Sequence, residues 1–261
     1  MYPTSLLRFL LLVLAGACAA TAGAQEPITL CVEKSDVRPW RTQDGQGLNF
    51  DLLNRVAREV GMRFDYRGMP WKRCLAELKS NSVSGAIGAS FKPDRLELAA
   101  YPGGNPPDAS KRLNSDRYVL LRRKHTRVDW DGKAFAGLDG TVGIQLGYSV
   151  GDLLRGMGVK VDEGTQKGAE LLQKLAAGRL AAAAMLDGEA RSVLESNPAL
   201  AAEVEILPRV LVEKPYFLVF SREFAQNRGE LAERIWHAVA SVRNSGEYQR
   251  LERDALEAVR N

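Results

Sequence analysis

The sequence predicts an α/β fold in two lobes, with a ligand cleft between them. Three observations lead there. Strand-like and helix-like runs alternate from Ile28 to Ala89, the order that parallel sheets with crossover helices require. The alternation restarts near Tyr118. One strand-like run, Tyr216 to Phe220, stands alone late in the chain before two closing helices. The chain is therefore expected to cross between lobes twice, with residues 27–118 and 214–261 in the first lobe and 119–213 in the second.

The elements follow in order. Ile28 to Val32 reads as a short strand, followed by a polar loop, Glu33 to Gly47, that holds Arg38, Pro39 and Trp40. Asn49 to Val60 is an amphipathic helix with Leu52, Leu53, Val56 and Val60 on one face, and Gly61 stops it. Arg63 to Tyr66 is a second strand. Pro70 opens a helix over Trp71–Lys79, as proline does at a helix start. Val83 to Ala89 is a third strand. In the second group, Tyr118–Arg122, Thr141–Gln145, Val159–Val161, Leu180–Leu186 and Val204–Leu207 read as strands. A short helix lies within Gly147–Met157, another spans Glu170–Ala177 and ends at Gly178, and a third spans Ser192–Leu200. Two helices, around Arg228–Asn244 and Glu247–Val259, close the chain.

Composition narrows the function. The chain has 261 residues, a formal charge of +4 and 26% charged residues, ordinary for a globular protein. No dense Lys/Arg block with interleaved aromatics occurs, which argues against nucleic acid as a partner. At the N-terminus, Arg8 precedes the apolar run Phe9–Ala15, and Ala22-Gly23-Ala24 fits the small-x-small cleavage pattern of a secretory signal spanning residues 1–24. That run is shorter than the ~20 residues a membrane span needs. A lipoprotein signal ending at Cys18 is the competing reading, but Ala15 stands where a large aliphatic residue is usual. The mature protein is thus expected to be exported to the periplasm.

Removal of the leader leaves Cys31 and Cys74. An even count in an oxidising compartment suggests one bridge, against two unrelated buried thiols. The two histidines, His125 and His237, are far apart, so neither a histidine metal site nor a Ser-His-Asp triad is expected. No metal or cofactor is predicted.

The candidate contacts sit at strand exits, where ligands of open α/β sheets bind. Arg38 and Trp40 follow the first strand, Trp71 the second, and Ser90 and Arg95 the third. Tyr148 and Ser149 open a short second-lobe helix, whose free N–H groups favour an anion. Ser90 and Arg95 are placed to hold a carboxylate, since a guanidinium offers a planar fork matched to it and serine adds a donor. The plainer alternatives are a solvated Arg95 paired with Asp94 or Glu97, and a Trp71 that only fills the core.

Several stretches, in this order, resemble one family. GLNFDLLNRVAREVG at 47–61, PWKRCLAELKSNSVSGAIGASFKPDR at 70–95, GTVGIQLGYSVGDLL at 140–154, LLQKLAAGRLAAAAMLD at 171–187 and HAVASVRNSGEYQRL at 237–251 are similar to type II periplasmic solute-binding proteins, the polar amino-acid-binding group of ABC importers. The resemblance implies a two-lobe fold with two hinge crossovers, and a carboxylate clamp on Ser90 and Arg95. It also implies a ligand packed on one side by Trp71 and on the other by Val37, Arg38 or Trp40, with a second-lobe hydroxyl at Ser149. Relatives that share the PWKRC helix carry a cysteine in the first strand, which implies a Cys31–Cys74 disulfide. The chain departs from the family pattern at Ala181 and Ser84, where aspartate is common. Asp187, the nearest candidate for an α-amino partner, falls one residue late. With Arg38, Lys72 and Arg73 also nearby, an acidic amino acid or an organic acid stays open beside an ordinary polar amino acid.

The expected function is capture of a small polar carboxylate ligand for an ABC permease in the inner membrane, by a monomer. Two alternatives remain. One is a periplasmic enzyme of the same fold, similar to cyclohexadienyl dehydratases, for which Glu33, Asp36 or Asp187 would supply the acid or base. The other is a module whose closed form is read by a separate signalling partner.

Overall fold

The structure is a computed structural model that describes residues 26–259. The leader, its cleavage site and Cys18 lie outside the described residues. In chain order the elements are β1 (Ile28–Glu33), α1 (Leu48–Val60), β2 (Phe64–Met69), α2 (Trp71–Lys79), β3 (Gly85–Ser90), β4 (Ala99–Ala100) and β5 (Asn114–Arg123). Next come β6 (Asp129–Trp130), β7 (Phe135–Ala136), β8 (Val142–Gln145), α3 (Val150–Gly156), β9 (Val161–Thr165), α4 (Gly168–Ala176), β10 (Ala182–Leu186), α5 (Asp187–Ser196) and α6 (Pro198–Glu203). The long strand β11 (Val204–Ser221) leads into α7 (Arg222–Asn227), α8 (Gly229–Asn244) and α9 (Gly246–Ala258).

The strands run in the order β2-β1-β3-β11-β5-β10-β8-β9, with β4 beside β11. The flanking trios β2-β1-β3 and β10-β8-β9 are parallel within themselves, whereas β5 and β11 run antiparallel to each other and to their neighbours. This is the two-lobe architecture: each trio carries crossover helices, and β5 and β11 are the two strands that pass between them. The sequence reading split Val204–Leu207 from Tyr216–Phe220, but the two are one strand. Pro208 and Pro215 interrupt the β-pattern without ending it, and the register against β5 shifts between Ile206 and Val212. The predicted helix over Ser192–Leu200 is instead two, because Pro198 cannot continue α5 and opens α6. The hairpin β6–β7 carries no strong pattern in sequence and was not anticipated.

Local chemistry explains the elements that matter for the site. On α1, Leu52, Leu53 and Val56 are fully buried, each stabilising by roughly 1.5–3 kcal/mol. Gly61 closes the helix at φ 69°, a left-handed conformation that favours glycine. The small residues of β3 follow from crowding: a side chain at Gly85 would meet the Val219 carbonyl at 2.6 Å and Leu30 Cδ2 at 2.8 Å. Cys31 and Cys74 form a disulfide with Cα atoms 5.6 Å apart, tying β1 to α2. Among the described residues, no helix is long and apolar enough to cross a membrane.

Candidate ligand cleft

The strand exits of the two trios face each other and bring five of the predicted residues together. Ser90 ends β3, and Arg95 lies in the one-turn 3-10 helix Pro93–Glu97 just beyond it. Arg95 is 3% exposed, and Asp94 pairs with Lys92 rather than with Arg95. The Arg95 guanidinium donates to the Ser90 carbonyl at 2.6 Å and, from its other arm, to the Gly147 carbonyl of the opposite lobe at 2.9 Å. Its carbon lies 5.5 Å from the Trp71 ring centroid, so the indole face supports the cation. Trp71 sits there because Pro70 caps α2 and places the first helical side chain at the lobe boundary. Trp71 is also part of the core, so packing and cleft lining coincide in one residue.

From the second lobe, Ser149 Oγ lies 2.7 Å from Ser90 Oγ. Lys214, on β11, donates to the Ser149 carbonyl at 3.2 Å and to its Oγ at 3.3 Å. The Tyr148 hydroxyl donates to Glu33 Oε2 at 2.5 Å, with Glu189 Oε2 3.5 Å away. Arg41 pairs with Glu33 Oε2 at 3.3 Å, and Gln145 Nε2 donates to Glu189 Oε1 at 2.8 Å. The cleft thus has a cationic end, Arg95 and Lys214, and an end where two glutamates from opposite lobes meet at Tyr148.

Burial sets the electrostatics. Desolvation raises the Glu33 carboxyl above its usual range, against the pull of the Arg41 cation and the Tyr148 hydrogen bond. The Glu189 carboxyl is pushed up to about 8, first by burial and then by the charge of Glu33. Burial also lowers Lys214, assisted by the repulsion of Arg95.

Glu33, Arg41, Trp71, Ser90, Arg95, Tyr148 and Ser149 enclose only about 20 Å³, room for one water. Nothing larger than a water fits between the lobes in this arrangement, which the Ser90–Ser149 and Arg95–Gly147 bonds hold together. On the outer side of Glu33 and Glu189 a further hollow of about 470 Å³ opens between the lobes.

Three predicted residues are placed elsewhere. Arg38, Trp40 and Asp187 line a separate cavity of about 430 Å³. Both carboxylate oxygens of Asp187 are engaged there, one by Arg117 at 2.7 Å and one by Arg191 at 2.8 Å. Sequence reasoning missed Arg41, Glu189 and Lys214. Glu189 was within reach of the strand-exit rule, since it lies three residues past β10, but Asp187 drew that reading first.

The sequence of residues 29–257 matches the model of one family, the bacterial extracellular solute-binding proteins, family 3. The chain belongs to that family. Solved structures of similar fold agree with the membership. A histidine kinase sensor domain with similarity to periplasmic binding proteins is 20% identical, with a TM-score of 0.70 over 89% of this chain and 97% of that one. The GluR0 ligand-binding core from Nostoc punctiforme, in complex with L-glutamate, is 17% identical, with a TM-score of 0.64 over 88% of this chain and 99% of that one. The arginine-, lysine-, histidine-binding protein ArtJ from Geobacillus stearothermophilus is 17% identical, with a TM-score of 0.67 over 90% of this chain and all 100% of that one. At these identities the likeness shows the fold, which is that of type II periplasmic binding proteins. No curated protein sequence matches the chain.

Proposed function

We propose that this solute-binding protein captures a small carboxylate-bearing solute, a polar amino acid in the first instance, in the periplasm and delivers it to an ABC permease. The observation that carries this reading is the buried Arg95 fork, stacked on Trp71 and bonded across the cleft to Gly147. A ligand carboxylate would take the place of that carbonyl, and charge-assisted hydrogen bonds of this kind are worth roughly 1.5–3 kcal/mol each. Ser90 and Ser149 would grip the same group from the two lobes. The ligand favours closure only by the contacts it makes in the closed form and not in the open one. The lobes in this reading comprise residues 27–118 with 214–261, and 119–213, the mature chain following the leader at residues 1–24. Family membership and neighbours that include the substrate-binding protein of an amino acid ABC transporter support the importer role. A thermal-shift screen of amino and organic acids tests it, because a ligand of the native state raises the melting temperature. Stabilisation by none of them would sink the reading.

A second reading rests on the glutamate pair. Glu33 and Glu189 meet at Tyr148 inside the cleft, and a carboxyl held protonated near neutral pH is a group suited to general-acid catalysis. A dehydratase acting on a cyclohexadienyl acid would use such a group. Turnover of prephenate by the purified protein, abolished in Glu189→Gln, would favour this reading over capture. The likeness to a kinase sensor domain equally suits a role in which the closed form is read by a separate signalling partner.

A further inference from the structure

We propose that closing of the lobes takes up a proton from solvent at Glu189, which makes the cleft a pH-sensitive latch. This rests on the capture reading only for the premise that the two lobes open and close. Glu33, at the end of β1, and Glu189, on α5, come from opposite lobes and aim Oε2 at the same hydroxyl, that of Tyr148. A hydroxyl holds a single proton, and the 2.5 Å contact directs it to Glu33. Glu189 Oε1 accepts from Gln145 Nε2 at 2.8 Å, so Oε2 is left facing the tyrosine oxygen at 3.5 Å. That approach is repulsive between two bare oxygens and attractive once Oε2 carries a proton aimed at the tyrosine.

Charge leads to the same place. Among the described residues Glu33 has an ion pair, with Arg41 at 3.3 Å, and Glu189, though buried, has none. A buried carboxyl without its own cation is neutralised by a proton. Around Glu189 stand Glu33 and Arg41 from the first lobe and Tyr148 beside α3, with Lys34, Asp36 and Lys167 on the walls of the adjoining hollow. β8 and α4 present only the uncharged Gln145 and Gly168, and on α5 itself Asp187 is engaged by Arg117 and Arg191. In the closed form burial and then the charge of Glu33, opposed by Arg41, hold the Glu189 proton up to about pH 8. Parting the lobes removes Glu33 and admits water, which returns the carboxyl towards its ordinary value of 4.5. Below 4.5 both forms carry the proton. Between 4.5 and about 8 only the closed form does, so rising pH weakens closure by up to about tenfold per unit.

The test needs no ligand. Spin labels are attached to the mature chain at Gln43→Cys and Ser196→Cys, exposed positions on opposite walls of the hollow between the lobes, and their separation is measured from about pH 5 to about pH 9. The expected result is a short separation at the acid end that gives way to a longer one as pH rises through about 8. Glu189→Gln, which keeps a donor where the proton sat, should stay short throughout. Asp116→Asn, which removes another raised carboxyl, should keep the response. Ser149→Trp wedges the lobes apart and supplies the open reference. A separation that ignores pH, a response that survives in Glu189→Gln, or one that Asp116→Asn abolishes overturns the proposal. If the wedge lengthens the separation and pH does not, the latch alone falls; if the wedge also leaves it unchanged, two-lobe closure falls with it.

Discussion

The two cavities that flank β5 and β11 differ in what links the lobes across them. In the cleft the groups of one lobe are met by those of the other: Ser90 by Ser149, Arg95 by the Gly147 carbonyl, Glu33 by Tyr148. On the opposite face the link is an ion pair, Arg117 at the start of β5 with Asp187 at the start of α5; buried unmet atoms occur on both faces, Arg41 Nε, Arg95 Nε and the Tyr216 hydroxyl in the cleft, Arg243 Nη1 and Asn114 Oδ1 opposite. Bonds that span two movable bodies can be exchanged for bonds to a ligand when the bodies part, so a nearly filled cleft is compatible with binding.

The largest expected effect concerns the covalent tether, which exists only on the cleft side. The disulfide joins β1 to α2, the elements that carry Glu33 and Trp71, across a separation of 43 residues. Replacing Cys31 and Cys74 by alanine should destabilise the protein by roughly 4 kcal/mol in the chain-entropy model. Urea unfolding of the mature chain measures this. Equal stability of the variant would mean that the tether does not constrain the unfolded chain.

A smaller effect distinguishes the two faces by pH. Glu189 titrates near 4.5 when unfolded and at about 8 when folded, so between these values the folded protein holds a proton that the unfolded chain has released. Stability should therefore fall as pH rises through that window. The raised carboxyls of Glu33 and of Asp116, the latter pushed up to about 7 by burial, act in the same direction. Arg41, Gln145, Tyr148 and Glu33 are the groups that face Glu189. Glu189→Gln should flatten the curve of melting temperature against pH, each kcal/mol being worth about 2–4 °C at this size. Asp116→Asn should flatten it less, on the other face. Parallel curves for wild type and Glu189→Gln would contradict the assignment.

The smallest effect is a single hydroxyl. Ser149→Ala removes one cross-lobe bond and one candidate ligand contact, and should weaken binding of the cleft ligand by about 1 kcal/mol, near fivefold. Calorimetric titration reads this directly; an unchanged affinity would remove Ser149 from the ligand's contacts.

Much of the fold was legible because its signals are local. Gly61 and Pro70 mark helix ends, the α1 face repeats at helical spacing, and the small residues of β3 announce a crowded strand. The continuity of β11 was not legible, since two prolines mask a strand held by pairing to β5, a partner some ninety residues earlier in the chain. In the cleft, Trp71, Ser90, Arg95, Tyr148 and Ser149 could be read from strand exits alone. Arg38, Trp40 and Asp187 satisfy the same rule yet face the other cavity. The loop after β1 turns back at the Val37–Arg41 bridge and sends Arg41, not Arg38, to the cleft. Gly188 lets the first turn of α5 pack on the Arg38 backbone, leaving Asp187 outside the cleft and Glu189 within it. Which way a loop residue faces depends on such contacts between distant segments, and sequence spacing does not encode them.

The central claim is that Arg95 is the carboxylate clamp. The most direct test is calorimetric titration of wild type, Arg95→Ala, Arg95→Lys and the exposed control Arg73→Ala with the acid that stabilises the mature protein most in a thermal-shift screen. The account predicts at least a tenfold loss of affinity in Arg95→Ala, about 1.4 kcal/mol or more. It predicts incomplete recovery in Arg95→Lys, because an ammonium cannot grip both carboxylate oxygens as the planar fork does. Arg73→Ala should bind as wild type, since that side chain is 69% exposed and pairs only with Glu77. Wild-type affinity in Arg95→Ala would contradict the claim and leave Arg95 as a residue that merely joins the two lobes through Ser90 and Gly147.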